Sequence, residues 1–245
     1  MLLLIQFLLA HLLGDFLFQP ERWVVKKELL KLKAKEFYFH VLVHGALLFL
    51  VTLKVDLWLP ILIITLSHLA IDAVKMTFQN EQTKPKWFFI DQILHIAAIV
   101  FVWYAWAGIH VTVEYFNAVN FWTLALCLIF LTIPSSHVIK ILISRLPLLS
   151  DNPSITDAGK YIGMIERVFI LVFMITNHWQ AIGFMLAAKT IFRFGDLKGD
   201  NRKLTEYVLI GTLLSFGLAV VVGILLFYQL TDRDGKLDAI LILGY

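Results

Sequence analysis

Long apolar runs separated by short polar ones dominate this chain, and the first four runs carry histidine and aspartate where only apolar side chains are expected. Eight stretches, near 2–19, 38–54, 57–75, 88–108, 119–143, 162–177, 180–193 and 205–229, read as membrane-spanning helices. At 60% hydrophobic and 16% charged residues, with a mean hydropathy of +0.81, the 245-residue chain does not read as a water-soluble domain. The expected fold is therefore all-α, a polytopic transmembrane helical bundle of seven to eight spans. The sixth and seventh stretches are short, so they form either a hairpin turning at Asn177-His178-Trp179-Gln180 or one long tilted helix.

Loop charge sets the orientation. Arg22, Lys26, Lys27, Lys31, Lys33 and Lys35 lie between the first two stretches, with Lys84 and Lys86, then Arg145 and Lys160, then Lys198, Arg202 and Lys203 in later loops. Eight crossings put all these loops on one side, which the excess of Lys and Arg makes cytoplasmic. The formal charge of +3 is too small and too dispersed for a nucleic-acid surface. One cysteine, Cys127, leaves no intramolecular disulfide and no multi-cysteine metal site. The start of the chain has no basic region or cleavage site of a signal peptide, so the first stretch is expected to be a retained helix of a multi-pass inner-membrane protein.

Four ionisable pairs lie in these stretches, each spaced i,i+4: His11 with Asp15, His40 with His44, His68 with Asp72, and Asp91 with His95. That spacing puts both members on one helix face, about 6 Å apart along the axis. The first and third helices run opposite to the second and fourth. All four pairs therefore fall at the cytoplasmic ends, with His11, His44, His68 and His95 in a deeper layer and Asp15, His40, Asp72 and Asp91 one turn shallower. His11 to His68 is an offset of 57 residues and His40 to His95 one of 55, which reads as a duplicated N-terminal helical hairpin. The expected organisation is a four-helix half over 1–108 carrying the pairs, a helical half over 119–230 with a cytoplasmic-side basic cluster, and a tail over 231–245.

A single pair of this kind is commonly a packing hydrogen bond. Four aligned pairs at membrane depth need a shared partner, because an ionisable side chain there is costly unless paired. Imidazole and carboxylate are ligands of zinc, iron and manganese, and zinc is the first expectation for a divalent metal held by His11, Asp15, His40, His44, His68, Asp72, Asp91 and His95. Such an ion makes water a better acid and polarises a carbonyl or phosphoryl group, with Asp15, Asp72 or Asp91 as candidate catalytic bases. The favoured reading is a metal-dependent hydrolase acting on a lipid or other amphipathic substrate, with membrane lipids as partners. Two alternatives stand beside it: a divalent-cation or proton-coupled transporter, whose His/Asp sites resemble those of cation-diffusion zinc transporters, and a haem protein with paired histidines.

Other polar residues group at the same side. Arg167, Lys189 and Arg193 could clamp a lipid or phosphate-bearing substrate, or simply be neutralised by Glu166 and Glu206. Residues 20–37 read as a basic amphipathic helix along the inner leaflet, and Gly211 and Gly217 as close-packing positions in the last span. His11-Leu-Leu-Gly-Asp15 with Gln19, Gly159-Lys-Tyr-Ile-Gly-Met-Ile-Glu-Arg167, Ala188-Lys-Thr-Ile-Phe-Arg193-Phe and Glu206-Tyr-Val-Leu-Ile-Gly-Thr-Leu-Leu-Ser215 together give a likeness over most of the chain. With these motifs it resembles a bacterial family of multi-span membrane proteins, domain of unknown function 3307. The resemblance implies an integral membrane protein and no particular substrate. The His-x-x-x-Asp helices also look like those of membrane-bound metal-dependent hydrolases, by analogy only.

Overall fold

A computed structural model describes residues 1–107, 116–144, 153–194 and 202–230. Among the described residues the chain is all-α, with no strand. Its compact units are Met1–Leu126 and Cys127–Tyr245. The expected tail, 231–245, lies outside the described residues.

In the first unit, α1 (Leu2–Leu12) runs on into a single π-helical turn, Leu13–Leu17, and then bends by 82° into Glu21–Lys33. That bent segment holds α2 (Glu21–Leu30) and a short 3-10 turn, Lys31–Lys33. Pro20 forces the chain into an extended conformation just before α2. The remaining helices of the unit are α3 (Lys35–Thr52), α4 (Trp58–Phe78) and α5 (Lys84–Ala107), followed by α6 (Phe116–Leu131), which runs into the second unit. Leu53 adopts the left-handed conformation that ends α3. Between α4 and α5 the Asn80 carboxamide and the Thr83 hydroxyl accept each other's backbone N–H at 2.9 and 3.0 Å, closing a tight turn.

Helices α1, α3, α4 and α5 pack in a ring, α1 and α4 each touching both α3 and α5. One end of this bundle is plugged by Phe7, Leu48, Ile64 and Ile99 with Ala10, Leu57, Ile61 and Val102. A smaller cluster of Ala34, Phe37 and Met76 sits elsewhere in the unit. Outward faces carry exposed Leu42, Leu50, Leu66, Ile93 and Phe101, an apolar surface that suits lipid and not water.

In the second unit, α7 (Ile133–Ile143) follows α6 after a break at Thr132. Pro134 explains the break: it has no N–H to give the Phe130 carbonyl. The Ser135 hydroxyl donates to that carbonyl instead, at 2.6 Å. Helices α8 (Pro153–Ile175) and α9 (Trp179–Phe194) form a packed hairpin. Its turn has Asn177 at φ 59°, and the Trp179 indole N–H donates to the Asn177 carboxamide at 2.8 Å. The hairpin alternative expected for this region is the one observed. Helix α10 (Arg202–Leu230) packs on α8 and α7. At Gly223 an added Cβ would meet Met174, at Gly211 it would lie in ordinary contact with Ile143 at 3.9 Å, and at Gly217 it would meet nothing within 4 Å, so the tightest packing falls at Gly223.

Five helices among the described residues are long and apolar enough to cross a membrane, or six when the bent pair Leu2–Leu17 and Glu21–Lys33 is one span.

Candidate metal centre

The i,i+4 stripes of the four bundled helices meet inside the first unit. One turn from the apolar plug, the imidazoles of His11, His44, His68 and His95, with Ser67, Ile71 and the plug's Leu48, Ile64 and Ile99, line a cavity of about 10 Å³, room for one atom-sized occupant. Phe7, Leu48, Ile64 and Ile99 each stand four residues from one of these histidines, on the plug side. The His44 and His68 rings stack with centroids 3.7 Å apart. His95 stands edge-on to His68 at 4.1 Å, and His11 lies 5.0 Å from His95. None of the five histidines, His40 included, is more than 3% exposed.

Asp15 reaches this layer from the π-helical turn. Phe18 N–H donates to the Leu13 carbonyl at 2.8 Å, and the wider turn presents the carboxylate to the bundle axis. Its Oδ1 lies 3.1 Å from His44 Nε2, 3.2 Å from His40 Nε2 and 3.8 Å from His68 Nε2, while Oδ2 accepts from the Gln92 side chain at 2.7 Å. Gly14 makes this geometry feasible. The His44 ring lies against the backbone of the π-helical turn, where any Cβ on residue 14 would fall 2.5 Å from its Nε2.

On the side away from the plug lies a carboxylate layer neutralised by two lysines. Lys27 Nζ donates to Asp72 Oδ2 at 3.2 Å, and Lys75 Nζ to Asp91 Oδ2 at 2.8 Å. Lys27 comes from α2 and is 3% exposed.

Several buried donor and acceptor atoms in this centre have no protein partner: His11 Nε2, His40 Nδ1, His95 Nε2 and Asp91 Oδ1. His95 is the most informative. Its Nδ1 lies 2.9 Å from the Asp91 carbonyl, which can only accept, so Nδ1 carries the proton and Nε2 of the neutral ring keeps its lone pair. The nearest carboxylate oxygen to that lone pair, Asp72 Oδ1 at 3.7 Å, is another acceptor. Two buried acceptors facing each other need a donor or a cation between them. A histidine fixed through Nδ1 to a backbone carbonyl, with Nε2 free, is also the usual posture of a metal ligand. Three sets of side chains bring their ligand atoms within 4.8 Å of one another: His11, Asp15, His44 and His68; His40, His68 and Asp72; Asp15, Asp91 and His95. All eight expected side chains belong to at least one set. The same closeness argues against haem, because rings 3.7–5.8 Å apart around so small a cavity leave no space for a macrocycle.

A family profile described as protein of unknown function (DUF3307) matches residues 3–125. The chain belongs to this family. The match contains every His/Asp side chain of the centre and ends before the second unit, so the motifs around Arg167, Arg193 and Glu206 lie beyond it. No curated protein and no solved structure matches the chain.

Four residues of this DUF3307 chain take part in the centre without having been singled out in the sequence: Gly14, Lys27, Lys75 and Gln92. Lys75 was the most legible, a lysine three residues after Asp72 in an otherwise apolar helix. The expected phosphate clamp is placed differently. Arg167, 2% exposed, donates through Nε to the Leu131 carbonyl at 2.6 Å and through Nη2 to the Thr132 carbonyl at 3.1 Å and the Ser136 hydroxyl at 2.6 Å; its Nη1 donates to the Ser215 hydroxyl at 2.8 Å. It thus braces the α6–α7 break from within the second unit, four of its five N–H groups directed to protein acceptors. Lys189 pairs with Glu166 at 2.6 Å, the neutralised arrangement. The Arg193 side chain lies outside the described residues.

Proposed function

We propose that this chain is a multi-pass inner-membrane protein of seven to eight spans, built on a duplicated N-terminal hairpin, that holds one divalent metal ion among His11, Asp15, His44, His68, Asp72 and His95. Zinc suits the donors best, since they are imidazole and carboxylate without thiolate; iron and manganese share the preference more weakly. The observation that carries this reading is the ring of four imidazoles around an atom-sized cavity, with the Nε2 atoms of His11 and His95 buried and unpartnered.

The activity we favour is hydrolysis of a lipid or other amphipathic molecule reaching the centre from the cytoplasmic leaflet. A bound ion supplies Lewis acidity, both to the scissile group and to water. Asp91, one turn from the histidines, would take the proton, while Asp15 orients His40 and His44 through Oδ1. The apolar plug beyond the histidine layer supports access from one side only, which favours an enzyme over the alternative of a transporter passing ions through the bundle.

Elemental analysis of the purified protein tests the metal. About one zinc per chain is expected, falling in His68→Ala and Asp72→Asn variants that still insert; no bound metal, or unchanged content in both variants, refutes the ligand set. Metal-dependent release of product from ester and phosphodiester lipids then supports hydrolysis. Zinc flux into proteoliposomes without turnover would support transport.

A further inference from the structure

Helix α2 is docked in an unusual way. Its one buried side chain is Lys27, while Val25, Leu29 and Leu30 are exposed. A surface helix ordinarily docks through an apolar stripe. This one docks by pushing an ammonium group into the bundle, 3.2 Å from Asp72 Oδ2. Its other ties are peripheral: half-buried Trp23 against the Phe39 ring at 6.3 Å between centroids, Lys26 to Glu36 and Glu28 to Lys84, both at 2.6 Å, and Lys31 to the Gln79 carbonyl at 3.3 Å. Exposed ion pairs of this kind hold weakly. The segment is jointed at both ends, by the 82° bend before Glu21 and by Lys31 at φ 53°.

Charge and access point the same way. Asp15, Asp72 and Asp91 against Lys27 and Lys75 leave the centre one negative charge when the histidines are neutral. A divalent ion added with both lysines in place would make it positive by one; with Lys27 withdrawn, the centre is neutral. Burying unbalanced charge at membrane depth is costly, so the neutral combination is preferred. The plug of Phe7, Leu48, Ile64 and Ile99 closes the opposite end, so an arriving cation passes Asp72 on the side where Lys27 sits.

We propose that Lys27 is a built-in counter-ion that a divalent metal displaces from Asp72, so that metal binding releases α2 from the mouth of the centre. This rests on the metal-binding reading above and adds regulation to it: the centre closes on its own lysine and opens on metal.

Amine labelling followed by mass spectrometry reads the exchange directly, on the full-length protein in detergent or nanodiscs with Zn²⁺ as the only addition. Lys27 is expected to be protected without zinc and labelled at least about tenfold faster with it, exposed Lys26 being the internal standard. Lys27→Gln is expected to bind zinc at least about tenfold more tightly, because no competitor for Asp72 remains, whereas Lys26→Gln binds as the unaltered protein does. Zinc binding that leaves Lys27 protected, with the Lys27→Gln affinity unchanged, overturns the exchange and leaves the metal centre standing. Failure of the unaltered protein and Lys27→Gln alike to bind zinc overturns both.

Discussion

Replacing Gly14 by alanine strikes the centre without touching a ligand. The new methyl would lie 2.5 Å from His44 Nε2 and 2.8 Å from Nδ1, where carbon contacts settle near about 3.5–4.0 Å. The ring must therefore retreat by roughly 1 Å. It has little room, being stacked on His68 at 3.7 Å and edge-on to His40 at 4.6 Å. Overpacking of this size costs about 1–3 kcal/mol, and a misdirected ligand lowers metal affinity by about 10–100-fold. Chelator-competition titration with Zn²⁺ measures the affinity, and thermal unfolding in detergent measures the stability. Combining Gly14→Ala with His44→Ala removes the clash, so the double variant should be about as stable as His44→Ala alone. Gly217→Ala, with open space around it in the interior of α10, is the control and should be neutral to stabilising, by no more than about 1 kcal/mol. Wild-type affinity and stability in Gly14→Ala would refute the placement of His44 against the π-helical turn.

Two further outcomes are expected. Arg167→Leu should lower the unfolding midpoint, by about 1–3 kcal/mol for the Leu131 carbonyl at the α6–α7 break left without its donor, and Arg167→Lys should recover only part of it. Zinc content should be unchanged in both, since Arg167 braces the second unit; a loss of zinc would show that it serves the centre. Acidification should release the metal reversibly, because imidazole binds a metal only when neutral, so zinc retained in equilibrium dialysis falls as pH falls. Occupancy that holds as the histidines titrate would exclude them as ligands.

The centre was legible in the sequence where periodicity alone fixes geometry. Four i,i+4 pairs in apolar helices can only be stripes, and antiparallel neighbours can only set His11, His44, His68 and His95 at one level. What escaped depends on contacts between distant segments. Lys27 is one of five lysines in a short basic stretch, and nothing local says which of them folds inward to Asp72. Gly14 carries no signal until the His44 ring lies against it. The break at Thr132 was foreshadowed by Pro134, yet the apolar run continues across it, so hydropathy joined what backbone chemistry divides. Arg167 looked like a clamp because an arginine at the edge of an apolar segment has the chemistry of one; only the Leu131 and Thr132 carbonyls at the α6–α7 break show where its donors go.

The most direct test of the metal centre is zinc-edge X-ray absorption on the metal-loaded protein, which reports the ligand atoms themselves. The account predicts imidazole nitrogens at about 2.0–2.1 Å with an oxygen ligand beside them and no sulfur, and a lower nitrogen count in His68→Ala. A shell of oxygen alone, or one unaltered by His68→Ala, would contradict it.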